Sequence, residues 1–231
     1  MGIASALSKI SRVFFITILV SNLSLILYSQ KTFAQKTESI NLFDLQNKDI
    51  RVINREAVYV DTLDKKYLSL SRDKEVGLIW LPVEEFQNGT IEIIMRGNNE
   101  FQRSFIGIAF HGTNDSTFDA VYCRPFNFFA EDSIRRTRSI QYISHPTYTW
   151  EKLRTEQNGV FEKEIINPPD PDDWFKMTLV IDDKIIKAFI NSNETPSLIV
   201  EKLDDRSSGK LGIFVADNSG GDFDKIEIKY M

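Results

Sequence analysis

Polar and apolar residues alternate with a period of two along most of this chain, and few stretches carry the longer period of a helix. Phe175, Met177, Leu179 and Ile181 fall on one side of their run, with Lys176 and Thr178 on the other. Ile226, Ile228 and Tyr230 repeat the pattern against Glu227 and Lys229. Alternation of this kind places successive side chains on opposite faces of a half-buried strand. Runs of the same type are expected at residues 39–42, 57–62, 67–71, 77–81, 89–95, 104–110, 120–124, 139–144, 161–165, 175–181, 185–190, 198–200, 210–215 and 225–230. Asn88-Gly89, Asn158-Gly159, Asp182-Asp183 and Ser219-Gly220-Gly221 supply turn chemistry between them. One short helix is expected at residues 149–156, where Thr149 precedes Trp-Glu-Lys-Leu-Arg. Many short strands and almost no helix specify an all-β fold, a two-sheet antiparallel β-sandwich of the jelly-roll type.

The first 34 residues stand apart from that pattern. Lys9 and Arg12 precede an apolar run, and Thr32-Phe33-Ala34 ends it on a small residue. A basic start, an apolar middle and a small-residue exit describe a secretory signal peptide cleaved after Ala34, which makes the mature chain an exported, periplasmic or extracellular domain. The apolar run from Val13 to Leu27 is interrupted by Ser21, Asn22 and Ser24 and falls short of the ~20 residues of a membrane span. Residues 35–231 then form a single domain, with no linker or repeat to divide them. The formal charge of −5 becomes −8 when Lys9, Arg12 and Lys31 are removed. An acidic domain excludes the usual electrostatics of nucleic-acid binding. Cys123 is the only cysteine, so no internal disulfide can form and the core has to stabilise the fold; its strand setting implies a buried thiol.

Residues 111–154 carry more aromatic and hydrogen-bonding chemistry than a core needs, and they form the candidate site. Tyr122 and Arg124 are two apart on a strand and share a face opposite Cys123. Arg124 either grips a ligand through its planar fork or closes an ion pair with an acid such as Asp119. Gln141 and Ile143 point one way along their strand, Tyr142 and Ser144 the other. Trp150 is either a stacking platform for a sugar ring or a plug at the end of the sandwich, and Arg154 lies one helical turn along from it. His111, Asn114, Asp115 and Asp119 are the residues from which a calcium site could be built, although the turn lacks the spacing of an EF-hand loop and no cofactor is required by the sequence. Glu162 and Glu164 share a strand face, which normally means water. Arg135, Arg136 and Arg138 read as a solvated basic loop, with an anionic glycan as the alternative partner. With only His111 and His145, and without phosphate- or dinucleotide-binding loops, zinc enzymes, kinases and nicotinamide enzymes are set aside.

Several segments resemble the concanavalin A-like lectin and glucanase superfamily. Phe86-Gln87-Asn88-Gly89-Thr90-Ile91-Glu92 is similar to the opening of its long central strand, and residues 104–112 (SFIGIAFHG) to the strand that follows. Residues 209–215 and 220–226 resemble its closing pair. The middle block resembles a bacterial group of exported laminin G-like domains, near the branch containing 3-keto-disaccharide hydrolases. The resemblance implies this sandwich and a glycan-related role. Laminarinase-type members carry an E-x-D-x-E set that brings two carboxyl groups about 5 Å apart, as retaining hydrolysis requires; here Glu92 stands alone. The favoured reading is therefore a carbohydrate-binding, lectin-like domain whose site is lined by Tyr122, Arg124, Asn127, Gln141, Tyr142, Trp150 and Arg154. The alternative is a glycan-cleaving enzyme of another kind, with His111, Asp115 or Glu162 as acid or base.

Overall fold

The alternating runs become strands in a computed structural model that describes residues 36–231; the expected leader and its cleavage point lie outside the described residues. In chain order the strands are β1 (Thr37–Asn41), β2 (Val52–Ile53), β3 (Ala57–Asp61), β4 (Lys66–Asp73) and β5 (Gly77–Trp80). Then come β6 (Gly89–Arg96), β7 (Ile106–Asn114), β8 (Thr117–Cys123), β9 (Ile140–His145) and β10 (Glu162–Lys163). The last five are β11 (Trp174–Ile181), β12 (Ile185–Ile190), β13 (Leu198–Glu201), β14 (Lys210–Val215) and β15 (Ser219–Tyr230). Two short helices, α1 (Ser133–Arg136) and α2 (Trp150–Glu156), lie between β8 and β10. The helix expected after Thr149 is α2, and the Thr149 side chain caps it.

Every pairing of strands among the described residues is antiparallel, and the strands form the two packed sheets of a sandwich. The first sheet runs β13-β12-β11-β6-β15-β4-β3, with β1 alongside the second half of β15. The second runs β10-β9-β8-β7-β14-β5-β2. Residues 219–221, expected as a turn, instead open β15 and pair with β4 across a bulge. A Cβ on Gly220 would lie 2.3 Å from the Leu70 carbonyl oxygen, so the glycines that resemble a turn are what lets two backbones meet there.

Alternation decides the core. Ile91, Ile93 and Met95 of β6 and Phe175, Met177, Leu179 and Ile181 of β11 point inward from the first sheet. They meet Ile106, Ile108 and Phe110 of β7, Val121 and Cys123 of β8, Ile140 and Tyr142 of β9 and Ile213 and Val215 of β14. Each such side chain contributes on the order of 1.5–3 kcal/mol relative to exposure. Cys123 is buried among them as the sequence implies, and burial pushes its thiol titration far up.

One polar network interrupts this interior. The bulge between β7 and β8 holds His111 at φ 48°, and its ring stacks on Phe86 and faces Asp119, with Nδ1 3.6 Å from Oδ2. Asp119 Oδ1 accepts from the Tyr142 hydroxyl at 2.8 Å and from Arg206 at 3.1 Å. Arg206 also donates to Ser144 Oγ at 2.6 Å, and Ser144 donates to Asp204 at 2.6 Å. Burial pushes the Asp119 carboxyl up, but His111, Arg206, Tyr142 and Ser144 together outweigh it and hold the group below the usual carboxylate range. A depressed folded-state titration contributes stability above the ordinary carboxylate value of about 3.9 and loses it as pH falls through the depressed one. Asp119→Ala is expected to lower unfolding free energy at neutral pH by ~3 kcal/mol, because the buried Tyr142 hydroxyl and His111 ring lose their acceptor while Arg206 keeps only Asp204 as a carboxylate partner. Denaturant titrations down to strongly acidic pH check this: the wild type should lose stability faster than the variant as acid protonates Asp119, and parallel curves would remove the carboxylate from the account.

Candidate functional site

The outer face of the second sheet is not a solvated surface. Gly107, Tyr122 and Phe214 lie side by side across β7, β8 and β14, and Ile143 and His145 continue the same face along β9. Gly107 is needed there, since a Cβ would sit 2.8 Å from that of Tyr122. Aromatic rings cover this floor: Tyr122 lies 5.3 Å from Phe214, and Phe105 lies 6.2 Å from Tyr122. Loops close the sides. Phe101 and Phe105 come from one, Phe126, Asn127, Arg135 and Arg138 from the segment between β8 and β9, and Asp217 and Asn218 from the turn before β15. Helix α2 and its cap add Thr149, Trp150 and Arg154. Together they enclose a cavity of about 480 Å³, within the range of small-ligand sites.

Arg124 organises one end. It follows β8 and is only 4 % exposed, so every charge-stabilising partner has to come from the protein. Nη1 donates to the Arg138 carbonyl at 2.8 Å, and Nη2 donates to the Tyr122 hydroxyl at 2.8 Å and to Gln141 Oε1. The Tyr122 hydroxyl donates in turn to Gln141 Oε1 at 2.9 Å. Burial pulls the Arg124 titration down, while Tyr122 and Glu162 oppose it. Glu162 on β10 is opposite Gln141 on β9 and therefore on the same face. Its oxygens accept from Arg154 Nε at 3.0 Å and Nη2 at 2.7 Å, a paired fork geometry. Arg124 Nη1 and Arg138 Nε each lie 3.6 Å from the same carboxylate. Arg154 also lies over the Trp150 ring, 4.9 Å from its centre, and Trp150 is 43 % exposed.

Five of the seven expected lining residues, Tyr122, Arg124, Asn127, Trp150 and Arg154, surround this cavity. Gln141 stands directly behind them, bonded to Tyr122 and Arg124. Tyr142 is a correction. The strand period turns it to the inner face, where it packs on Phe110 and binds Asp119. Among the acid or base candidates, His111 is fully buried in the interior. Asp115 lies in the β7–β8 turn, accepting from Trp80 Nε1 at 2.9 Å and pairing with Arg51. Only Glu162 stands beside the cavity, buried rather than pointing into water, and both its oxygens are engaged by arginine. Arg124 pairs with Glu162, not with Asp119. The four calcium-type candidates do not converge, and no metal-holding group of three or more His, Cys, Asp or Glu occurs among the described residues.

Sequence reasoning missed Phe101, Phe105 and Phe214, which reach the cavity through long-range packing and leave no local signal. His145 and Ile143 were recoverable, because they continue the period that begins at Gln141. Arg135 and Arg138 are three apart and line the cavity together, a spacing that on a helical turn puts side chains on one side. Arg136, the last residue of α1, points away from the cavity, donating to the Ala130 carbonyl at 2.7 Å and pairing with Glu164 at 3.2 Å.

No family model and no curated protein matches the sequence. Solved structures do share its fold. A Bacillus subtilis protein of unknown function with a galectin-like fold is 15 % identical, with a TM-score of 0.53 over 84 % of this chain and 96 % of that one. The exoplasmic/lumenal domain of VIP36, in its Ca2+/Man3GlcNAc-bound form, is 9 % identical with a TM-score of 0.52 over 85 % and 91 %. A native glycosidic hydrolase is 10 % identical with a TM-score of 0.53 over 85 % and 97 %. At these identities the likeness is one of fold: a sandwich of two antiparallel sheets.

The ion cluster makes a contrast that can be measured. Glu162→Gln should reduce unfolding free energy by ~3 kcal/mol, since it leaves buried Arg124 without its carboxylate. Arg138→Gln should cost less than ~1 kcal/mol, because that side chain is 30 % exposed and only skirts the carboxylate. Chemical denaturation of both variants checks the pair, and equal losses would contradict the assignment of Glu162 to Arg124.

Proposed function

We propose that the chain is a carbohydrate-binding, lectin-like domain, and that a saccharide sits in the cavity on the outer face of the second sheet. The observation that carries this reading is a half-exposed Trp150 at the rim of a cavity whose polar groups are already fixed by one another. A sugar ring presents an apolar face and a fringe of hydroxyls; the indole suits the first, and the Asn127 and arginine groups suit the second. Because Arg124, Tyr122, Gln141 and Asn127 hold their positions through bonds within the protein, binding incurs little side-chain ordering cost. The fold supports the reading by analogy, since one solved neighbour is described as carrying Man3GlcNAc and another as a glycosidic hydrolase. The basic-then-apolar start of the sequence fits a domain that meets its ligand outside the cytoplasm.

The test is a glycan array probed with the chain and its Trp150→Ala variant, with the spots assayed for cleavage products. Binding that falls about tenfold in Trp150→Ala, with unfolding free energy changed by less than ~0.5 kcal/mol, is the expected outcome for an exposed stacking residue. Parallel loss of binding and stability would make Trp150 a packing residue. Cleavage products would replace the binding domain with an enzyme, and Glu162, the one buried carboxylate beside the cavity, would be the first residue to substitute.

A further inference from the structure

Four guanidinium groups, from Arg124, Arg135, Arg138 and Arg154, line one end of the cavity, and Glu162 is the single buried carboxylate among them. The other acids lining it lie elsewhere: Glu151 is exposed on the first turn of α2, and Asp217 is bound to the Glu75 backbone N–H and to Asn218 in the turn before β15. Such a concentration is unusual in a chain whose formal net charge is −5. The guanidiniums are also not saturated. Arg154 uses Nε and Nη2 on Glu162, and Arg135 uses Nε on Asn127 and Nη2 on the Phe126 carbonyl. That leaves Nη1 of each, and both terminal amino groups of Arg138, without an acceptor within hydrogen-bond distance among the described residues.

Arg154 and Arg135 are held in place by contacts that leave their free donors available. Arg154 lies on Trp150, and Arg135 lies 4.4 Å from the centre of the Phe101 ring. Phe101 and Trp150 are themselves 55 % and 43 % exposed, so the cationic end is framed by open aromatic faces. Arginine donors fixed on aromatic surfaces match the planar, multidentate oxygens of an acidic group better than the scattered hydroxyls of a neutral sugar.

We propose, building on the saccharide reading of the same cavity, that the ligand is an anionic saccharide whose acidic group lies between Arg138, Arg154 and Arg135 while a ring stacks on Trp150. The shared chemistry is a singly charged oxyanion on a sugar, either a uronate carboxylate or a sulfate ester. The protein's own acidic field disfavours anions at long range, so recognition depends on these short-range contacts rather than on steering.

Calorimetry of the chain with matched oligosaccharides tests this: a neutral galactan or glucan, the corresponding polyuronide, and a sulfated galactan. The expected result is binding to the polyuronide or the sulfated chain at least about tenfold tighter than to the neutral one, weakening as sodium chloride rises from 50 to 500 mM. Arg138→Gln and Arg135→Gln should each weaken acidic binding about tenfold and neutral binding far less, so that the preference for the acidic chain shrinks. The ratio of polyuronide to sulfated binding identifies which oxyanion is used. Equal or tighter binding to the neutral chain, indifferent to salt and to both variants, overturns the anionic assignment while leaving the saccharide site intact. Binding to none of the three overturns both.

Discussion

A guanidinium buried in a sheet has to be compensated by the protein, and Arg124 places that demand on most of the chain segments around the cavity. Its partners come from β8 (Tyr122), β9 (Gln141), the loop before β9 (the Arg138 carbonyl) and β10 (Glu162). Glu162 in turn fixes Arg154, and through it the helix α2 that carries Trp150. The short strand β10, only two residues long, has little pairing of its own to hold it, so this ion cluster is a large part of what keeps it on the sheet edge. The same interactions that satisfy the buried charge therefore set the shape of the cavity.

The second sheet separates two kinds of polar chemistry by its pleat. Asp119, Tyr142 and Ser144 face inward and form a closed network with His111 and Arg206. Tyr122, three positions from Asp119, and Gln141, one position from Tyr142, face outward on the same strands and bond Arg124 at the cavity. A one-residue register change would exchange the two sets, which is why the strand pairing of β8 with β9 is as much a determinant of the site as the side chains themselves.

The sandwich was legible because its evidence is local. The alternation in Phe175–Ile181 and 226–230 survives in β11 and β15 almost residue for residue. The site was legible in part, for the same reason: Tyr122, Arg124 and Trp150 lie in a block whose composition exceeds what a core needs. Three features were hidden. Tyr142 looks like a ligand-binding tyrosine until its face is known. His111 turns inward only because the β7 bulge puts its backbone in the left-handed region. Glu162 meets Arg124 and Arg138 across β9 and across 38 and 24 positions of sequence respectively (162 − 124 and 162 − 138), a pairing that sheet topology creates and no local pattern announces.

The central claim is the location of the ligand, and the chain's three tryptophans report on it separately. Trp150 borders the cavity, Trp80 lies at the other end of the same sheet face beside Phe118, and Trp174 lies against Tyr67 on the opposite sheet. The most direct measurement is therefore an NMR titration of the three indole N–H signals with a saccharide the chain binds. The account predicts that the Trp150 signal moves while those of Trp80 and Trp174 stay in place. Movement of Trp174 with Trp150 unchanged would place the ligand on the other sheet and contradict it.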